Sequence, residues 1–79
     1  MKYITYKIDN VAQIAVDMRL SSMYDKESLY FLANKTEKIT DVRVVYDQKE
    51  IGNKILITPQ EHYQYDFKLL TTIYKENYL

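Results

Sequence analysis

Apolar and polar residues alternate along several stretches in the first three quarters of the chain. The stretches are Tyr3–Ile8, Gln13–Ser21 and Asp41–Asp47, and a shorter one, Lys54–Ile57, follows Gly52. A period of two places successive side chains on opposite faces of an extended backbone, which is the pattern of a half-buried strand. Gly52 tolerates the positive backbone angles of a tight turn. The pattern therefore predicts a strand at each of these places.

Two stretches leave a helical alternative open. Residues 13–21 alternate as a strand, yet Asn10 and Gln13 would also form a capping box for a helix. Such a helix would carry apolar side chains on two separate sides, so the strand is favoured. The run Leu29–Ala33 is apolar throughout, as in a central strand covered on both faces, and a short helix capped by Asp25 is its alternative.

A helix is predicted to begin at Pro59 and to run close to the C-terminus. The Thr58 side chain can accept the backbone N–H of Glu61, the Glu61 side chain can bond back to the Thr58 N–H, and proline suits the first helical position. Apolar residues then recur at spacings of three and four, which defines a stripe facing a core. The members of this stripe are Tyr63, Phe67, Leu69, Leu70, Ile73 and Tyr74.

Together these elements predict an α+β fold, in which an antiparallel meander of four to five strands carries one C-terminal helix packed on one face. We expect residues 1–79 to form a single small globular domain. One helix covers only one face of a sheet, so the other face is expected to be open. On the predicted register the open face carries Tyr3, Thr5, Lys7, Ala15, Asp17, Arg19, Arg43 and Val45.

Charge and cysteine content weigh against several classes of protein. The chain has 11 basic and 11 acidic residues, scattered along its length, and no cysteine. Phosphate-led nucleic-acid binding needs a clustered positive surface, so the neutral balance argues against it. Without cysteine there is neither a disulfide framework nor a thiolate metal site. No segment resembles a signal peptide or the ~20 apolar residues of a membrane span, so we expect a cytoplasmic protein that does not enter the membrane.

Candidate catalytic chemistry is sparse. His62 is the only histidine, and Asp66 stands four residues later on the predicted helix. This spacing would let the carboxylate orient the imidazole for acid-base chemistry, but a local pair at the edge of the helix stripe is the favoured interpretation. Nucleophile turns, phosphate loops and the close ligand spacing of metal sites are absent. We therefore predict a protein that is not an enzyme and has no catalytic residue, cofactor or metal.

The chain has 9 tyrosines, an unusual number for its length. Those that align with apolar positions and are expected in the core are Tyr6, Tyr46, Tyr63 and Tyr74. Tyr3 and Tyr65 fall on the sides that point away from the core. Exposed tyrosine beside arginine is the composition of protein-binding hot spots. The residues predicted to bind a partner are Tyr3, Arg19, Arg43, Tyr65 and Lys68.

The leading hypothesis is a non-enzymatic protein-binding module. Lysine-rich, isoleucine-rich composition is typical of A/T-rich coding, which favours a phage- or plasmid-type inhibitor of a host or defence protein. The alternative is a nucleic-acid-associated module, in which tyrosines on a sheet face stack unpaired bases. A symmetric homodimer is a further option, since a neutral surface and open strand edges favour self-association.

Overall fold

The computed structural model describes residues 2–19 and 38–79. In chain order the elements are β1 (Tyr3–Ile8), β2 (Ala12–Asp17), β3 (Ile39–Val45), a 3-10 turn (Gln48–Glu50), β4 (Ile55–Ile57), α1 (Pro59–Gln64) and α2 (Phe67–Tyr78). The strand interpretation of the second stretch is confirmed over Ala12–Asp17. The predicted strand at Leu29–Ala33 lies outside the described residues.

The sheet is mixed rather than a pure antiparallel meander. Its strand order is β3-β1-β2-β4, with β1 antiparallel to both of its neighbours and β2 parallel to β4. The α+β class and the C-terminal helical region are confirmed, and the described residues form four strands of the sheet. The prediction of an antiparallel meander is wrong, because β3 and β4 run in the same direction. Consecutive parallel strands need a connection that crosses a face of the sheet.

That connection, residues 46–54, covers part of the face opposite the helices. We call it the crossover, and the face beneath it the outer face. Ile51 of the crossover packs against Tyr3 and Ala15, which are 1% and 0% exposed, and Val45 lies against the same cluster. The prediction that this part of the outer face is open, with Tyr3 exposed, is therefore wrong. Tyr3 is buried because β4 lies parallel to β2, so the connection from β3 to β4 has to cross this face of the sheet.

The main core lies between the sheet and the helices, and we call it the helix-side core. Its buried members are Ile4, Tyr6, Ile8, Ala12, Ile14, Val16, Met18, Ile55, Ile57, Leu70 and Tyr74. The β1 members share one face, as their alternation predicted. Leu70 and Tyr74 are one helical turn apart on α2, so they face the sheet together.

The predicted continuous helix is broken at Tyr65. The backbone of Tyr65 is extended, and Asp66 is the N-cap of α2, where its Oδ1 accepts the Leu69 N–H at 2.6 Å. The break changes which side chains are buried. Tyr63 and Leu69, expected in the core, are 56% and 45% exposed.

The tyrosines divide differently from the prediction. Tyr6 and Tyr74 are buried as expected, at 1% and 4% exposure. Tyr46 is 58% exposed, since the chain leaves the sheet after Val45. Tyr65, expected to point away from the core, is half-buried and packs against the helix-side core.

The predicted capping box at the start of α1 is confirmed. The Thr58 Oγ1 accepts the Glu61 N–H at 3.2 Å, and the Glu61 Oε1 accepts the Thr58 N–H at 3.1 Å. We expect Thr58→Ala to lower the free energy of unfolding by about 1 kcal/mol, measured by urea denaturation. Thr72→Ala is the control, since its hydroxyl only bonds back to the Lys68 carbonyl within α2. An equal loss in both variants would show that the cap does not stabilise the fold.

Within residues 2–19 and 38–79, no helix combines the length and hydrophobicity that crossing a bilayer requires.

Candidate partner-binding site

A β-bulge in β3 shapes the uncovered part of the outer face. The register of β1 against β3 shifts between Thr5 and Lys7, and Asp41 has a positive φ of 56°. Ile39 and Val44 both pack against the helix-side core, although they are five positions apart, which is an odd offset. A regular strand would put them on opposite faces, so the extra residue at the bulge restores both to the core.

The bulge places the Asp41 carboxylate between two cations. Its Oδ1 accepts the Arg43 Nε–H at 2.9 Å, and its Oδ2 lies 3.6 Å from the Lys7 Nζ. The Arg43 side chain is 70% exposed. Because Asp41 engages only Nε, the two terminal nitrogens of the guanidinium keep their N–H donors for another acceptor. Asp41 therefore orients Arg43 without occupying its outer edge.

A concavity of about 460 Å³ lies beside the crossover, and we call it the crossover concavity. Its lining residues are Thr5, Tyr6, Lys7, Gln13, Asp41, Arg43, Val44, Val45, Glu50 and Lys54. The crossover packs on the Tyr3 end of β1 through Ile51 and leaves the Lys7 end uncovered. Lys54 reaches this site from the far end of the crossover, and its Nζ donates to the Glu50 carbonyl at 3.1 Å.

The concavity suits an anionic group. Charged and amide side chains dominate its lining. Three cations meet two carboxylates, and Lys7 and Arg43 already compensate Asp41. The planar fork of arginine matches the two oxygens of a carboxylate. An acidic side chain that enters the concavity can therefore be bound by Arg43, with Lys54 in the same lining.

The structure divides the five predicted partner-binding residues among separate places. Arg43 lines the concavity. Tyr3 and Arg19 lie together at the opposite end of β1, where Tyr3 pairs with Asp17. The Arg19 Nε donates to the Asp17 Oδ1 and Oδ2 at 2.9 and 2.8 Å. The hydrogen bond from Arg19 lowers the pKa of Asp17, so this arginine is already engaged by a carboxylate.

Tyr65 and Lys68 lie on the helix side of the sheet. A hydrogen bond to the Glu61 carboxylate raises the pKa of the Tyr65 hydroxyl. Lys68 is exposed on α2 and lines a second depression, described below. The charged residues of the concavity that are not among the five predicted partner-binding residues are Lys7, Asp41, Glu50 and Lys54. The alternation in β1 already places Lys7 on the same face of the sheet as Arg43. Lys54 lines the same concavity only because the crossover brings it there.

His62 lies in the interior, paired with Tyr6. The Tyr6 hydroxyl lies 2.8 Å from the His62 Nδ1, the two rings meet edge to face, and His62 is 0% exposed. The predicted pairing with Asp66 is replaced by this contact, because Asp66 caps α2. Among the described residues, no three His, Asp or Glu side chains form a group that could hold a metal ion.

Comparison with protein-family models, with curated proteins and with solved structures finds no match to this chain.

Proposed function

We propose that the protein is a non-enzymatic protein-binding module whose crossover concavity receives an acidic side chain of its partner. The observation that carries this proposal is the exposed guanidinium of Arg43, held by Asp41 at the edge of a charged concavity. Pre-orientation lowers the entropy lost when a long side chain is fixed on binding. Arg43 is thus suited to anchor a partner.

Exposed apolar side chains on the outer face and in the crossover favour a protein partner. Arg43, Thr5, Ala15 and Leu56 form one row across the outer face of the sheet. Leu56 at the far end of this row is 50% exposed, and Tyr46, just beyond β3, is 58% exposed. Arginine with exposed aromatic and aliphatic side chains is the composition of a protein interface.

The nucleic-acid alternative has less support at this site. The lining of the concavity has one more cation than carboxylates, and Asp41 already pairs with two of the three cations. A strand of phosphates requires several unopposed cations along its path.

The lysine-rich and isoleucine-rich composition favours a more specific form of the protein-binding proposal. In that form, the partner is a host or defence protein, and the module inhibits it.

The test compares three tagged chains, the parent, Arg43→Gln and Arg19→Gln, in affinity purification from a nuclease-treated native extract. Arg19→Gln removes the same charge at the other end of the outer face, where the arginine is bound to Asp17. We expect a stoichiometric protein partner with the parent and with Arg19→Gln, and its loss with Arg43→Gln. With the purified partner, Arg43→Gln should weaken binding by tenfold or more, which is about 1.4 kcal/mol. Arg43→Lys should restore only part of the affinity, since lysine lacks the planar fork.

Three outcomes would contradict the proposal. They are the absence of any stoichiometric protein, a partner that Arg43→Gln retains at parental affinity, and a partner that is recovered from an untreated extract but lost after nuclease treatment. A homodimer, detected by sedimentation and dissociated by Arg43→Gln, would make a second copy the partner and would support the proposal.

A further inference from the structure

We infer that a second depression, between α2 and the β1-β2 turn, binds a nucleoside triphosphate. The depression has a volume of about 380 Å³, and we call it the lysine groove. Its lining residues are Asp9, Lys38, Phe67, Lys68, Thr71, Thr72 and Lys75. It lies on the helix side of the sheet, and none of its described lining residues also lines the crossover concavity.

The groove concentrates positive charge that the sequence scatters. Among the described residues, Lys38, Lys68 and Lys75 line it together with one carboxylate, that of Asp9. Two elements distant in sequence build it, because the Asp9 N–H donates to the Lys38 carbonyl at 3.2 Å and so fixes the start of β3 beside the turn. The described lining therefore has more cations than carboxylates, although the whole chain is neutral.

The lysine spacing favours a chain of phosphates over a single anion. Lys68 and Lys75 are seven residues apart on α2, which places them on one side of the helix about 10 Å apart along its axis. Lysine binds phosphate as a point charge, without the planar geometry that arginine offers a carboxylate. The two ends of a triphosphate can therefore each engage one of these flexible lysine side chains, which a single small anion is too short to reach together.

The remaining lining residues suit the nucleoside. Phe67 adds a half-buried aromatic ring beside the lysines, and stacking on such a ring is a general mode of base recognition. Thr71 and Thr72 add hydroxyl groups. The volume lies within the range of small-ligand pockets, whereas a nucleic-acid strand requires a longer track.

The experiment titrates ATP, without magnesium, into the isotope-labelled protein and follows the amide resonances of Thr71 and Thr72. We expect saturable shifts, weakened about tenfold or more in Lys68→Gln/Lys75→Gln. The control Lys2→Gln/Lys49→Gln removes the same charge at two positions that line neither depression, and we expect it to bind ATP like the parent. Phe67→Leu keeps an apolar side chain but removes the ring, and should weaken ATP binding about fivefold or more while leaving tripolyphosphate binding unchanged.

Several results would overturn the inference. They are the absence of saturation at about 10 mM ATP, parental affinity in Lys68→Gln/Lys75→Gln, and an equal loss in Lys2→Gln/Lys49→Gln. Tripolyphosphate binding as tightly as ATP would overturn the nucleoside assignment. A short single-stranded oligonucleotide that binds far more tightly than ATP would show that the groove serves a strand instead. Circular dichroism spectra that match the parent establish that each variant is folded.

Discussion

Truncation of Leu70 to alanine is expected to lower the free energy of unfolding by about 2–5 kcal/mol. Leu70 is 0% exposed and joins α2 to the sheet within the helix-side core. Truncation loses the free energy that the buried side chain gains by transfer out of water. It also leaves a cavity, which lowers the stability further. Natural domains are stable by only about 5–15 kcal/mol, so the variant should show a much lower urea midpoint.

Leu69→Ala provides a matched control, because it makes the same chemical change one residue earlier. Leu69 is 45% exposed, and we expect a loss within about 1 kcal/mol. Both leucines belong to the stripe that the sequence predicts, so the pair tests the orientation of α2 after the break at Tyr65. Equal losses in the two variants would mean that α2 packs through a different side. Urea denaturation followed by circular dichroism measures both.

The elements that could be predicted depend on local signals. The alternation in Tyr3–Ile8 defines both faces of β1, since the period of a strand needs no knowledge of its partners. The capping box at Thr58 is likewise complete within four residues, and its two reciprocal hydrogen bonds are present. Sequence reasoning succeeds at these places because the physical cause and the residues that carry it are adjacent in the chain.

The elements that could not be predicted depend on distant contacts or on competition between local ones. The pairing of β4 with β2 joins residues about forty positions apart, such as Ile14 and Ile55, and no local pattern specifies its direction. Asp66 can either continue a helix or cap a new one, because its short carboxylate competes for backbone N–H groups. Tertiary packing decides between these outcomes, and in the structure Asp66 caps a new helix.

The residues of the candidate site divide in the same way, into those that a local pattern identifies and those that distant contacts bring to the site. Arg43 could be chosen from its place on a predicted strand face, and the structure keeps it exposed. Tyr3 met the same criterion, but the crossover buries it under Ile51. The crossover also brings Lys54 to the concavity. A single long-range strand pairing therefore removes one predicted residue from the surface and adds an unpredicted one to the site.

The buried contact between Tyr6 and His62 leads to the second large prediction. Tyr6→Phe keeps the ring but removes the hydroxyl that lies 2.8 Å from the His62 Nδ1. A buried polar atom that loses its partner costs about 1–3 kcal/mol, so we expect a loss of this size near neutral pH. Tyr78→Phe is the control, since it removes a hydroxyl from a ring that is 42% exposed. We expect its effect to stay within about 0.5 kcal/mol.

The Tyr6→Phe variant should also change how the free energy of unfolding depends on pH in the alkaline range. Burial raises the pKa of Tyr6, so the folded protein retains a proton that the unfolded chain releases above a pKa of about 10. The stabilisation is therefore complete below about pH 10 and is lost as the pH rises toward the folded pKa, with a slope approaching about 1.4 kcal/mol per pH unit. Urea midpoints measured between about pH 9 and 11.5 should fall less steeply in Tyr6→Phe than in the parent or in Tyr78→Phe. Parallel slopes in all three proteins would show that the Tyr6 hydroxyl titrates alike in the folded and unfolded states, which is incompatible with its burial against His62.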